Sequence, residues 1–503
     1  MWLRQRWPVV ATTAIAVLLA VAGAVGLARA DDGLERRIVV VDGIPLHEVR
    51  PANQSGPLPG VVVAHGFAGS ARLMYPFADT LARNGYVVVL PDLTGHAANP
   101  RRMSSSDTLQ RDLAVALRHL RSLPSVAADR VALLGHSMGA GAVTRYAATD
   151  GSVLATVAIS LGDASALPTG ADRPRNLLLL YGAAEFPRFV EAADRGLRLG
   201  YPEGGLDHTY GDPATGTARR AVAVSGAEHI SVLYVNRTHA EAIGWLDSVL
   251  RPGQPVASTV QPRRRLVPAA WLLLAFVLGG YPLAVVLLGR RPRYVHSRQV
   301  RPAVFAGGLA AALVVAAVLA GVAPTVRLPL AVGGYVTGFA TIAAIGLFVA
   351  WRLGRRLTGE PRTIPSRMVV VTVLFTLYAA AAVAVPLHLG MTHAVPSGQR
   401  WWLLVVVAAA NVALLWTAEL LSSGVAWRFA MILAAVVAAL TAATVLGLAP
   451  GFLLLVLPLL AVLLAWQAVW AAVLRRYGAP PWTAAFAGGV LVAWPVVASL
   501  PLV

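Results

Sequence analysis

Between residues 268 and 502 the chain carries eight apolar runs of near-spanning length, at about 268–289, 303–323, 329–351, 368–388, 401–421, 429–447, 451–473 and 482–502. About 20 apolar residues in a helix cross roughly 30 Å of hydrocarbon. Hydrocarbon offers the backbone no water, so each run must bond its own N–H and C=O groups, and a helix does this within one segment. A ninth run, from Pro8 to about Ala28, follows Arg4 and Arg6 and reads as an export signal. Ala28-Arg29-Ala30 before Asp31 fits a cleavage site, but the run exceeds the roughly 7–15 residues of a signal-peptide core, and an uncleaved anchor is the preferred reading. With 57% hydrophobic residues, 13% charged ones and a mean hydropathy of +0.65, the chain is too apolar for one water-soluble domain.

The remaining sequence has a different character. Residues 31–262 hold nearly all the acids and most of the histidines. Three parts follow: a signal anchor or signal peptide over 1–30, a folded α/β domain over 31–262, and a membrane domain of about eight helices over 263–503. The formal charge of +18 comes from arginines that cluster in short loops between apolar runs, so the lipid bilayer is the expected partner and nucleic acid is not. All 42 basic residues are arginine, and cysteine is absent, which excludes disulfides and thiolate chemistry.

With a cytoplasmic N-terminus, the loops falling inside are RRPRYVHSRQVR (290–301), RLGRRLTGEPRTIPSR (352–367) and the Arg475-Arg476 turn. Loops falling outside, around Arg327, Arg400 and Pro450, are nearly free of positive charge. The positive-inside rule therefore puts the 31–262 domain outside the cytoplasm of a multi-pass, bacterial cell-membrane protein. Arg263, Arg264 and Arg265 oppose this count and are read as contacts to anionic headgroups.

Within 31–262, VVVDGIPLHEV reads as a hairpin, and PGVVVAHG, YVVVLPD, RVALLG, ATVAISLG, NLLLLYG and RAVAVSG read as strands. Helices are expected over DTLQRDLAVALRHLRSL, from Met138, from about Pro187, and over HAEAIGWLDSVL. Continuous apolar strands alternating with helices imply an α/β fold, a mostly parallel sheet with helices on both faces. Sites in such sheets form at the carboxyl ends of the strands.

One strand, VALLG, turns directly into a helix through Gly135-His136-Ser137-Met138-Gly139. Such a turn needs strained angles at the serine, and side chains two residues to either side would collide with the neighbouring strand and helix. Glycine at 135 and 139 removes the collision and lifts Ser137 to a helix N-terminus, where backbone N–H groups can stabilise an oxyanion. Three further stretches agree. In VVVAHGFAGS a strand ends in a glycine-softened loop whose Phe67 N–H would pair with that of Met138 as oxyanion donors; in NLLLLYGAAEF, Glu185 follows a strand end; in VAVSGAEHI, His229 follows another.

The HGFAGS, GHSMG, YGAAE and GAEHI stretches, spread over about residues 36–252, resemble the α/β-hydrolase superfamily. The resemblance implies an eight-stranded core with Ser137 as nucleophile, His229 as base and then acid, Glu185 as the triad acid, and no metal or organic cofactor. Glutamate departs from the commoner aspartate, and Asp163 in SLGDAS stays open as an alternative acid. Glu228, His208 and His239 are read as surface residues, His65 as a loop-shaping hydrogen-bonder, and His136 as packing or capping. His96 either borders the pocket or is an ordinary loop histidine. No long insertion separates Gly162 from Asn176, so the loops 92–106 and 200–218 would form the rim.

The expected activity is cleavage of a small-molecule or lipid ester, or an amide, through an acyl-enzyme on Ser137. An acyltransferase using the same triad, or a non-catalytic hydrolase-like binding domain on a transporter, are the alternatives. Apart from Glu419 and Asn411 the apolar runs hold few ionisable or amide groups; Glu419 is expected near the cytoplasmic interface, and His388 and His393 are expected to face water on an outer loop. Runs rich in Ala, Gly and Val would allow close helix packing.

Overall fold

The computed structural model describes residues 2–254, 259–289, 300–354 and 366–503. These divide into two compact units. The sheet unit holds Val25–Ala269 together with two short returns, His388–His393 and Pro501–Val503; the helical unit holds Met1–Ala24, Ala270–Leu387 and Ala394–Leu500. Helix α1 spans Trp2–Arg29.

A hairpin opens the sheet, with β1 (Leu34–Val41) and β2 (Ile44–Pro51) joined by Asp42-Gly43. Both turn residues have positive φ, +49° and +75°, as the tight turn matching strand twist requires, and Asp-Gly tolerates it. Then come β3 (Leu58–Ala64), α2 (Tyr75–Arg83), β4 (Val87–Pro91), α3 (Ser106–Ser122), β5 (Val126–His136), α4 (Met138–Thr149), β6 (Ala155–Ile159), β7 (Leu177–Gly182), α5 (Pro187–Arg198), β8 (Thr209–Tyr210), β9 (Arg219–Val224) and α6 (Asn236–Leu250). The strand order is β1-β2-β4-β3-β5-β6-β7-β9-β8. From β4 through β9 the neighbours run parallel, while the hairpin and the two-residue β8 are antiparallel. The eight-stranded core is thus β1–β7 with β9, and β8 extends its edge.

Side chains alternate between faces along a strand, and both faces here are dry. Val61 and Val63 of β3, with Ala132 and Leu134 of β5, join Phe77, Leu81, Trp245 and Leu246 of α2 and α6. Val62, Ala64, Val131 and Leu133 join Leu113, Leu117 and Val143 of α3 and α4. Covering both faces is why these strands read as unbroken apolar runs. The short α2, absent from the sequence reading, is the helix that covers β3 and β4 on the first face.

In the helical unit, α7 (Leu266–Leu288), α8 (Pro302–Leu319), α9 (Gly333–Gly354), α10 (Arg367–Gly390), α11 (Arg400–Ser422), α12 (Ala426–Val445), α13 (Leu453–Arg476) and α14 (Pro481–Ser499) follow in turn. With α1, nine helices among the described residues are long and apolar enough to cross a membrane. Much of the 290–301 and 352–367 arginine loops lies outside the described residues. Small residues set the spacing of α8 and α9: a Cβ on Gly308 would lie 2.4 Å from Ala350 Cβ, and one on Gly346 would lie 2.6 Å from Ala312 Cβ.

Each arginine of the run Arg263–Arg265 has a protein partner. Arg263 Nε donates to the Tyr234 carbonyl (3.1 Å), Arg264 to the Arg29 carbonyl (2.6 Å), and the buried Arg265 to Asp79 (3.1 Å) and to Asp31. Asp31 and Asp79 also pair with Arg36.

Candidate active site

Strand β5 ends on His136 and α4 begins at Met138, so Ser137 makes the whole turn. Its φ of +54° and ψ of −115° are strained for a residue with a Cβ, at a cost of roughly 1–3 kcal/mol. The surroundings hold it there: its N–H donates to the Ile159 carbonyl (2.8 Å) and its carbonyl accepts from Gly141 (3.1 Å). A Cβ on Gly135 would lie 2.3 Å from the Gly139 carbonyl oxygen, and one on Gly139 would lie 2.5 Å from that of Ala64. Only glycine fits at either place.

His229, beyond the end of β9, brings Nε2 to 3.0 Å from Ser137 Oγ. Its Nδ1 lies 3.0 Å from Glu185 Oε2, just past the end of β7. The other carboxylate oxygen accepts the Gly182 N–H (2.8 Å) and the Ser160 hydroxyl (2.6 Å). A carboxylate only accepts, so the His229 proton sits on Nδ1 and the Nε2 lone pair faces the serine hydroxyl. The Phe189 ring packs 4.3 Å from the imidazole.

Two supports of this arrangement escaped the sequence reading. Ser160, at φ +55°, reaches Glu185 from the end of β6, and nothing in the sequence pairs these two residues. His136 does more than pack, since its Nε2–H donates to the His229 carbonyl at 2.9 Å. Burial, followed by the positive charge its neighbour can carry, pushes His136 down to about 3. It stays neutral beside a charged His229.

The loop after β3 passes directly beneath the serine. Gly66–Gly69 is a turn closed by Gly69 N–H to the Gly66 carbonyl (3.0 Å), with Ala68 at φ +60°. A Cβ on Gly66 would lie 3.1 Å from Ser137 Cβ. Phe67 sits within this turn, and Met138, as the first residue of α4, has an N–H without a partner inside its helix.

The other named residues are placed elsewhere. Asp163 is exposed and accepts both the Ser165 N–H (2.8 Å) and hydroxyl (2.6 Å), bonds that lower its pKa; it makes no bond to His229. Glu228 turns away and caps the backbone of Ile230 (2.9 Å) and Ser231 (2.6 Å). His65 shapes its loop, donating from Nδ1 to the Gly66 carbonyl (2.8 Å) while Nε2 accepts the Leu93 N–H (3.1 Å). His96 is fully buried, edge-on to His65 and Phe67. His208 is exposed as expected. His239 is not a surface residue: it stacks on Phe77 (3.9 Å between ring centres) and bonds Thr80 (3.0 Å) and the Leu233 carbonyl (2.9 Å). His388 and His393 are half-buried within the sheet unit, with ring centres 5.1 Å apart. Leu502 bridges the rim loop, donating to the Gly95 carbonyl (2.7 Å) and accepting from Met103 (2.8 Å).

Residues 57–180 match the family model of serine aminopeptidase, S33. Together with the sheet order and the strand-to-helix turn, this match decides the architecture. The fold is that of the α/β hydrolases. Over 145 residues the chain is 26% identical to a thermostable monoacylglycerol lipase of Bacillus sp. (strain H-257), a match covering 29% of this chain and 54% of the lipase. The chain therefore spans about half the length of that relative. Among solved structures, a hypothetical protein of Pseudomonas aeruginosa, PA2218, aligns with a TM-score of 0.35 at 16% identity, over 44% of this chain and 95% of its own. The structure of DcsB in complex with its substrate analogue aligns with a TM-score of 0.34 at 15% identity, over 43% and 99%. Among the described residues of the hydrolase and helical units, no group of three His, Asp or Glu side chains could hold a metal ion.

Proposed function

We propose that the chain is a membrane-embedded serine hydrolase that cleaves a carboxylic ester outside the cytoplasm. The observation that carries this reading is the relay from Ser137 through His229 to Glu185, with two contacts of 3.0 Å each. As Ser137 Oγ attacks the ester carbonyl carbon, its proton passes to His229 Nε2, and Glu185 stabilises the imidazolium through Nδ1–H. The carbonyl oxygen becomes an oxyanion, held by the N–H groups of Met138 and Phe67. His229 then gives its proton to the departing alcohol, leaving the acyl group on Ser137. Water attacks this acyl-enzyme, His229 takes its proton and returns it to Ser137, and the carboxylic acid leaves. The likeness to a monoacylglycerol lipase supports an ester, and apolar helices in the same chain support a substrate that partitions into lipid.

Chain parity supports the topology. Four helices, α7–α10, separate the body of the hydrolase unit from its return at His388–His393, and four more, α11–α14, separate that return from Pro501–Val503. An even number of crossings brings a chain back to the side it left. By the same count the arginine-rich sequence stretches 290–301 and 352–367 belong to the other side, and their positive charge supports reading that side as cytoplasmic.

Fluorophosphonate labelling of the detergent-solubilised full chain tests the chemistry. Covalent label is expected on the unaltered protein and is lost in Ser137→Ala and His229→Ala. Label that persists in Ser137→Ala would refute the assignment.

A further inference from the structure

The turn carrying Phe67 is fixed from behind by residues far away in sequence. It runs directly into Ser70, which is 1% exposed. Ser70 Oγ accepts the Leu73 N–H at 3.2 Å and the His393 N–H at 3.0 Å, and lies 2.9 Å from Thr392 Oγ1. A hydroxyl has two lone pairs and one proton. Both lone pairs are taken by N–H donors, so the Ser70 proton goes to Thr392. The next residue, Ala71, donates its N–H to the buried Asp92 at 2.8 Å, and Arg72 donates to the His388 carbonyl at 3.2 Å. Three successive residues behind the turn are thus anchored, two of them to the return His388–His393. In front, Gly66 stands against Ser137.

We propose that Thr392 and His393 are positioning residues for the oxyanion turn, holding Phe67 N–H in register with Ser137 through Ser70. The inference rests on the assignment of Phe67 as an oxyanion donor. It gives the connection between α10 and α11 a role in the reaction rate, at a separation of 322 residues between Ser70 and Thr392. Donors of this kind must be held within about 0.5 Å of the productive geometry, and a misplacement of about 1 Å can cost roughly a hundredfold. One buried hydroxyl proton with a single acceptor is a small lever of the right kind.

The test is the rate of fluorophosphonate labelling of the full chain, with kcat and KM on a soluble p-nitrophenyl ester, for Thr392→Val, Thr392→Ser and Ser70→Ala. Valine keeps the shape and removes the acceptor; serine restores it. Labelling and kcat are expected to fall about tenfold in Thr392→Val, with KM within about twofold, and to recover in Thr392→Ser; Ser70→Ala, which loses all three bonds, falls further. Wild-type labelling rates in Thr392→Val overturn the proposal, as does a lower melting temperature with an unchanged rate per folded molecule. Label that is indifferent to Ser137→Ala removes the hydrolase reading itself, and the positioning role with it.

Discussion

In the helical unit, several buried hydroxyl and amide groups bond their own helix one turn back, with Gln467 and Thr372 reaching Ala484 and Thr483 of α14, whereas around Ser137 the buried polar groups reach partners from other strand ends. Asn411 donates to the Val407 carbonyl, and Thr337, Thr417 and Thr444 to those of Gly333, Ala413 and Leu440. Even the fully buried Arg400 donates to the Val497 and Leu500 carbonyls, closing the end of α14. In the hydrolase unit Glu185 reaches Ser160 and His229, His136 reaches the His229 carbonyl, and Asp92 reaches the Ala71 N–H. Polar groups bonded along their own helix do not converge on one point. Polar groups converging from several strand ends leave an organised point between them, and Ser137 occupies it.

The largest effects should come from that point. Ser137→Ala or His229→Ala should lower esterase turnover at least about a thousandfold while leaving the melting temperature nearly unchanged; initial rates on a p-nitrophenyl ester measure this. Glu185→Gln should cost somewhat less, roughly a hundredfold to ten-thousandfold, because an amide can hold the wrong imidazole tautomer. Asp163→Asn should stay within about twofold of wild type. A strong loss in Asp163→Asn, with Glu185→Gln near normal, would reassign the acid.

How much of this was legible follows from what each residue depends on. The turn at Ser137 was readable because the collisions relieved by Gly135 and Gly139 lie within one strand, one helix and their neighbour, and two glycines four residues apart report them. The strands were readable because burial on both faces leaves only apolar types. The Ser160–Glu185, His136–His229 and Ser70–Thr392 pairings were not, since no periodicity links residues so far apart. His239 is different, because its signal was present. Ala242, Ile243, Leu246 and Leu250 form the buried stripe of α6, and position 239 continues it at helical spacing. The polar side chain suggested the surface, but Thr80 and the Leu233 carbonyl satisfy both ring nitrogens. The ion pairs of Arg265 were not legible either, since its carboxylate partners Asp31 and Asp79 lie 234 and 186 residues away.

The ion pair of Glu419 and Arg475, 2.5 Å apart and almost fully covered, links α11 to α13 and is the place to break the comparison. Removing one member of a buried pair leaves the other uncompensated, at a cost of about 3–5 kcal/mol. Glu419→Ala should lower the melting temperature in detergent, while the rate of Ser137 labelling per folded molecule stays within about twofold. Glu419→Gln, which still accepts from Arg475, should lie between. A collapse of labelling with stability intact would show that the helical unit contributes to the chemistry.

The smallest effect is a pH dependence that arises in the hydrolase unit. Burial pushes His239 down to about 4 and, with the charge of His229 added, His136 to about 3; it also lowers His65. An unfolded histidine titrates near 6.5. Between about pH 6.5 and 4 the unfolded chain therefore binds protons that the folded unit refuses, so stability is full above pH 6.5 and falls as the pH drops through that window. Hydrogen exchange, corrected for intrinsic rates, should show α2 and α6 losing protection over this range while α11 and α14 keep theirs. In His239→Gln the amide can bond Thr80 and the Leu233 carbonyl without titrating, so the loss should be shallower. An unchanged slope in that variant would mean that His239 takes up its proton without opening the fold, and the acid sensitivity would have to come from the unit's other buried histidines, His136 and His65 among them.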